Sequence, residues 1–239
     1  MPSYRSSRLA TLTLTLLTLF SIIEARPSQV SAALKDPRHD GLSGYNVPIY
    51  DGITSLPSPT GTLKAITVGR GTQNYTCTSP TDSSTTAIPT PVAIGAKADL
   101  LDASPLLRLL PPAEGIKILD LLPSYLVNFD TSLLAAYSIP LLGHHYFNSD
   151  GQPTFDLGDT GFLIAKKTGS ISAPAGACPG SLGKGFGAVD WLSLVDAGGS
   201  RGLGSVYRVV TAGGKAPPTC QGISGDIEVQ YSALYWFFE

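Results

Sequence analysis

The sequence predicts a mainly β protein, a sandwich or a closed barrel with one helical insertion. Three observations predict it. The 239 residues include 26 glycines and 19 prolines, and only 14% are charged, a turn-rich composition poor in long surface helices. Strand-like runs recur at 62–68, 72–78, 161–167, 187–195, 204–211 and 226–238, divided by Gly, Pro, Ser and Asn. The last run alternates most regularly, with Ile227, Val229, Tyr231, Ala233, Tyr235 and Phe237 on one face and Glu228, Gln230 and Ser232 on the other.

Taken in chain order, the first element is a leader. Arg5 and Arg8 precede an apolar stretch, Leu9 to Ile23, that is too short and too rich in threonine for a membrane span. It reads as a signal peptide over residues 1–25 ending at Ala25, with "VSAA" at 30–33 as a later site; losing 25 residues would leave 214. That length suits one larger all-β domain. No second apolar run reaches spanning length, so the expected mature chain is exported, extracellular or in the cell wall, with no membrane span. Residues 26–60 form a Pro/Gly-rich lead-in without a sustained period, expected to drape over the fold or stay mobile. The β domain then occupies 61–239. Within it, "SPTDSSTTAIPTP" (79–91) is a loop open to O-linked sugars. In 105–126, Ile116, Leu119, Leu122 and Leu126 recur at helical spacing.

A net charge of −2 offers no basic stripe for phosphates, so nucleic acid is not an expected partner. Of the three cysteines, Cys77 and Cys220 both sit in strand-flanking "TC" contexts, whereas Cys178 lies in the Gly/Pro-rich "APAGACPGSLGKG". The expected pair is Cys77 with Cys220, and spacing alone leaves the other pairings open.

The stretch "VGRGTQNYTC" (68–77) poses the sharpest choice. Gly69 and Gly71 resemble the start of a dinucleotide-binding loop, but Asn74 stands at the third glycine position, and "YTCTSPT" cannot open the helix that such a loop needs. As a strand, the same residues place Gln73, Tyr75 and Cys77 on one face and Thr72, Asn74 and Thr76 on the other. If the disulfide cysteine points inward, Asn74 points out, as the acceptor of the N-x-T sequon Asn74-Tyr75-Thr76 must. An unoccupied sequon or a turn-capping asparagine is the plainer alternative. No nicotinamide or other cofactor is expected.

"GRGTQNYTC", "GHHYF" (143–147), "VDWLSL" (189–194), "VYRVVTAGGKAPPTC" (206–220) and "VQYSALYWFF" (229–238) occur in an order that resembles secreted fungal members of the domain-of-unknown-function family 3455. The resemblance spans about residues 45–238. It implies no established activity. Relatives are often labelled malate dehydrogenase, a label at odds with the missing loop and the short chain. The resemblance also implies the Cys77–Cys220 pair, since both cysteines fall in its motifs and Cys178 does not.

Candidate site residues are few. His144 and His145 are neighbours that a strand would send to opposite faces, so they could not easily share a metal, and no metal site is expected. One of them could serve as an acid, base or ligand beside Asp190 or Asp156; the alternative is a histidine that fixes a turn. Arg208 sits mid-strand among valines, where its charge must be paired or lie on an open face. Trp191, Tyr207, Tyr235 and Trp236 could form a sugar-stacking platform or belong to the core. Two function classes follow: a non-catalytic secreted β domain that binds wall or matrix polysaccharide or another small ligand, and an extracellular hydrolase-like enzyme centred on "GHHYF" with Asp190.

Overall fold

Eight antiparallel strands in sequential order close into a barrel, strand 1 pairing with strand 8, in the computed structural model of the chain. It describes residues 41–50, 52–78, 88–129, 139–183 and 185–239. The expected leader, residues 26–40 of the lead-in and 79–87 of the Ser/Thr/Pro loop lie outside them. The strands are β1 (Leu63–Cys77), β2 (Val92–Asp102), β3 (Leu141–Phe147), β4 (Pro153–Asp156), β5 (Phe162–Ile171), β6 (Trp191–Asp196), β7 (Ser205–Gly213) and β8 (Gly225–Phe238). Between β2 and β3 come the helices α1 (Ser104–Leu107) and α2 (Pro112–Leu126). The mainly β expectation therefore resolves as the barrel and not the sandwich.

Several elements differ from the sequence reading. The runs 62–68 and 72–78 are one continuous strand, and β2 was not anticipated, because its inward positions are the small residues Ala96 and Ala98, which give no strong apolar signal. The single helix expected over 105–126 is broken at Pro111 and Pro112. Pro112 opens α2 at a position where its missing N–H costs nothing.

Strand alternation splits the core into two layers. Inside the barrel lie Ala65, Leu100, Phe155, Leu163, Val206, Tyr231, Ala233, Tyr235 and Phe237, drawn from strands all round the wall. An eight-stranded barrel is about wide enough to be filled by such side chains. Outside the wall, Ile66, Val68, Val209, Leu234, Trp236 and Phe238 pack beneath Leu119 and Leu126 of α2 and beneath Leu42, Tyr45, Val47 and Leu56 of the lead-in. The end of β8 is thus buried on both faces, which simple alternation did not foretell. Tyr45 secures this outer layer by donating its hydroxyl to the Leu107 carbonyl at 3.0 Å. Arg70 does likewise, its Nε donating to the Leu126 carbonyl at the end of α2, at 2.9 Å.

Gly69 and Gly71 lie within β1. No helix begins after them, because the strand runs on to Cys77. A Cβ on Gly69 would stand 2.5 Å from the Tyr235 ring, and one on Gly71 would stand 1.8 Å from the Lys97 carbonyl oxygen of β2. The two glycines are spacers that let a ring and a neighbouring backbone approach. Gly71→Ala is expected to lower stability by about 1–3 kcal/mol through overpacking. Gly176→Ala, where a Cβ would meet nothing within 4 Å, should leave the urea midpoint within error. Equal midpoints for the two variants would refute the spacer role.

Candidate functional site

β1 turns Asn74 outward, where it accepts a hydrogen bond from the Thr72 hydroxyl at 2.9 Å. Cys77 ends the strand, buried, in a disulfide with Cys220; Cys178 is a free, half-buried thiol.

β3 divides the histidine pair as its pleat requires. His144 faces out, half-exposed, with Nδ1 3.1 Å from Asp99 of β2. Asp156 lies opposite it in the register of β4 and accepts the Gly158 N–H within a turn. His145 points into the barrel, only 4% exposed. Its ring stacks on Phe155 with centroids 4.3 Å apart. Its Nδ1–H donates to the Thr154 carbonyl at 2.9 Å. Burial, opposed by that bond and aided by the Arg208 charge, pulls its pKa down to about 4. His145 is therefore neutral near pH 7, and the two imidazoles share no site.

Arg208 of β7 faces the interior, between Leu192 of β6 and Tyr235 of β8 in the sheet register. The sequence left it either paired or on an open face. It is instead 9% exposed, with one Nη2 hydrogen bond of 3.0 Å to the Asp190 backbone carbonyl. The Asp190 carboxylate turns away to accept from the Ser170 hydroxyl. Near Arg208 the Tyr231 and Tyr235 hydroxyls share a hydrogen bond of 2.8 Å. Burial raises both phenols above their ordinary pKa. Asp190 and Arg208 thus meet through backbone, and neither carries a proton relay to His145.

The four candidate aromatics do not form an exposed strip. Tyr235 lies inside the barrel; Tyr207, whose hydroxyl donates to the Pro57 carbonyl at 2.9 Å, and Trp236 lie in the outer layer. Trp191 lines open space. That space is a cleft of about 150 Å³ between α2, the 174–178 loop and the β6–β7 wall. It is bordered by Asp120, Ser124, Cys178, Trp191, Val210 and Thr211. Trp191 is 6% exposed, and its Nε1–H has no hydrogen-bond partner. Burial raises the pKa of the Asp120 carboxyl. Val210 holds a left-handed φ of +48° at a bulge in β7, an uncommon state for a β-branched residue. The bulge lets the consecutive residues Val210 and Thr211 both line the cleft. Asp120, Ser124 and Thr211 carry no sequence pattern that marks them as a site, because only tertiary packing brings them together.

Among the described residues no cluster of His, Cys, Asp and Glu could hold a metal, and no helix is long and apolar enough to cross a membrane. A family model described as "Protein of unknown function (DUF3455)" matches residues 57–239, the whole barrel included. No curated protein and no solved structure matches the chain.

Proposed function

We propose, on the premise that the chain belongs to the family of proteins of unknown function DUF3455, that it is a non-catalytic binding protein of the extracellular space or cell wall. Its ligand is a glycan residue or another small hydroxylated molecule held in the cleft over Trp191. The single observation that carries this reading is that Trp191 lines the cleft and has a buried N–H without a hydrogen-bond partner. A buried donor without a partner is costly, and a ligand oxygen would satisfy it. Sugar hydroxyls can also bond the Ser124 and Thr211 hydroxyls and donate to Asp120, while the indole offers an apolar face to a pyranose ring. Export is supported by the leader-like residues 1–25 and by a disulfide, a bond that persists in oxidising compartments. The outward placement of Asn74 suits a glycosylated, exported chain. The enzyme alternative is the weaker reading, because the inward His145 is engaged by the Thr154 carbonyl and the Asp190 carboxylate by the Ser170 hydroxyl.

Titration of the purified protein with soluble chitin, β-glucan and cellulose oligosaccharides, followed by tryptophan fluorescence and calorimetry, tests the proposal. Saturable binding to at least one is expected. Trp191→Phe, which keeps the ring but loses the N–H, should weaken it by about tenfold or less, the worth of one hydrogen bond. Silence toward all three, or equal affinity in the variant, would reject the cleft as the glycan site.

A further inference from the structure

Among the described residues, no ion pair balances the buried charge of Arg208 in the barrel interior. Arg208 is buried, its Nε–H has no partner, and among the described residues no carboxylate lies within 4 Å of it. Its surroundings are neutral: His145 is uncharged, and Tyr231 and Tyr235 keep their protons. Nearby Gln73 adds a second buried donor, Nε2, that also lacks an acceptor. Gln73 lies close enough to Tyr231 to affect its hydroxyl without forming a bond of good geometry. The cluster therefore carries a positive charge and two unused donors, with the neutral Tyr231 and Tyr235 hydroxyls beside them and, among the described residues, no anion. A cation in such a place is costly unless something negative joins it.

We propose that the barrel interior binds a small monocarboxylate on Arg208, at a site separate from the Trp191 cleft. Register separates the two: Leu192 and Arg208 face inward, while Trp191 belongs to the outer layer. A guanidinium with a free Nε–H suits a carboxylate, which can take two parallel N–H bonds from its edge. One unit of negative charge balances Arg208. A dianion such as sulfate would leave a net negative charge in the same neutral lining. Leu192 and Tyr235 flank Arg208 and suit an apolar body on the acid. Tyr75 and Asp190 at this end of the barrel are half-buried and Ser170 is exposed, so Arg208 lies near the solvent boundary. Tyr75 feels the charges of both Arg208 and Asp190, which places the three together.

The test is a titration of the purified protein with sodium acetate and sodium benzoate at constant ionic strength and pH 7, with sodium sulfate as the control anion. Melting temperature and isothermal calorimetry provide the readouts. A saturable rise in melting temperature is expected with benzoate, a smaller one with acetate, and none with sulfate beyond its general salt effect. In Arg208→Met the saturable rise should disappear, and calorimetric affinity should fall at least about tenfold. Should Arg208→Met fail to fold, Arg208→Lys keeps the charge without the fork and should weaken benzoate binding while leaving oligosaccharide binding unchanged. No saturable response to either carboxylate, an equal response to sulfate, or undiminished binding in the folded variants would each overturn the proposal.

Discussion

Replacing Cys77 and Cys220 together by alanine is expected to remove up to about 5 kcal/mol of stability, the figure that chain entropy assigns to this bridge. The two cysteines are 143 positions apart, so the bond restricts almost the whole barrel sequence in the unfolded chain. It joins the end of β1 to the segment between β7 and β8, where the Cys220 N–H also donates to the Pro89 carbonyl at 2.8 Å. β1 and β8 are also the pair that closes the barrel, so the covalent link and the closing sheet contact reinforce each other. The check is the free energy of unfolding from urea titrations of wild type and double variant, read together with the m-value. A rise in m would show that the unbridged denatured chain is more expanded. Alkylation of the folded, unreduced wild type should label one thiol, Cys178. A loss under about 1 kcal/mol with unchanged m would show that the bridge does little to restrict the unfolded ensemble.

What was legible in the sequence divides along physical lines. Strands with large side chains alternating on one face, such as β8, announce themselves, since the pleat repeats every two residues regardless of the fold around it. β2 does not, because its residues opposite Gly71 and Gln73 are the small Ala98 and Ala96, and small residues carry no hydrophobic signature. The opposite directions of His144 and His145, and the outward turn of Asn74, needed only the pleat and were readable in advance. The fate of Arg208 was not. Its environment depends on which carboxylates the closed barrel brings close, and Asp190, whose backbone carbonyl it bonds, turns its side chain to Ser170. The cleft was equally unreadable, because Asp120, Ser124, Trp191 and Thr211 lie on three separate elements. Trp191 alone was visible as a candidate, on aromatic character and not on position.

Acidification should expose His145 as a built-in penalty on the folded state. In the unfolded chain its imidazole titrates near the ordinary 6.5, whereas burial in the folded barrel lowers the pKa to about 4. Between these values the unfolded chain takes up a proton that the folded one refuses. The sign is therefore definite: the stability linked to this group is fully present above about pH 6.5 and is lost progressively as the pH falls toward 4. Over the whole window the loss is about 3 kcal/mol, and below about pH 4 it stops growing. Half-exposed His144 remains in both proteins compared, so the difference between wild type and His145→Gln isolates the buried ring. Glutamine keeps a donor that can reach the Thr154 carbonyl but does not titrate. It gives up the stack on Phe155, so it should start about 1–3 kcal/mol less stable at pH 7.5. Its stability should then fall less steeply toward pH 4, and the two curves should converge. Guanidinium unfolding at half-unit steps from pH 7.5 to 4 measures both curves. Oligosaccharide affinity of the folded variant, measured at pH 7.5, should match wild type, because His145 lies inside the wall and the cleft lies outside it. Parallel curves would mean that the ring already titrates normally in the fold, and with that the reading of His145 as a neutral, structural group would fall.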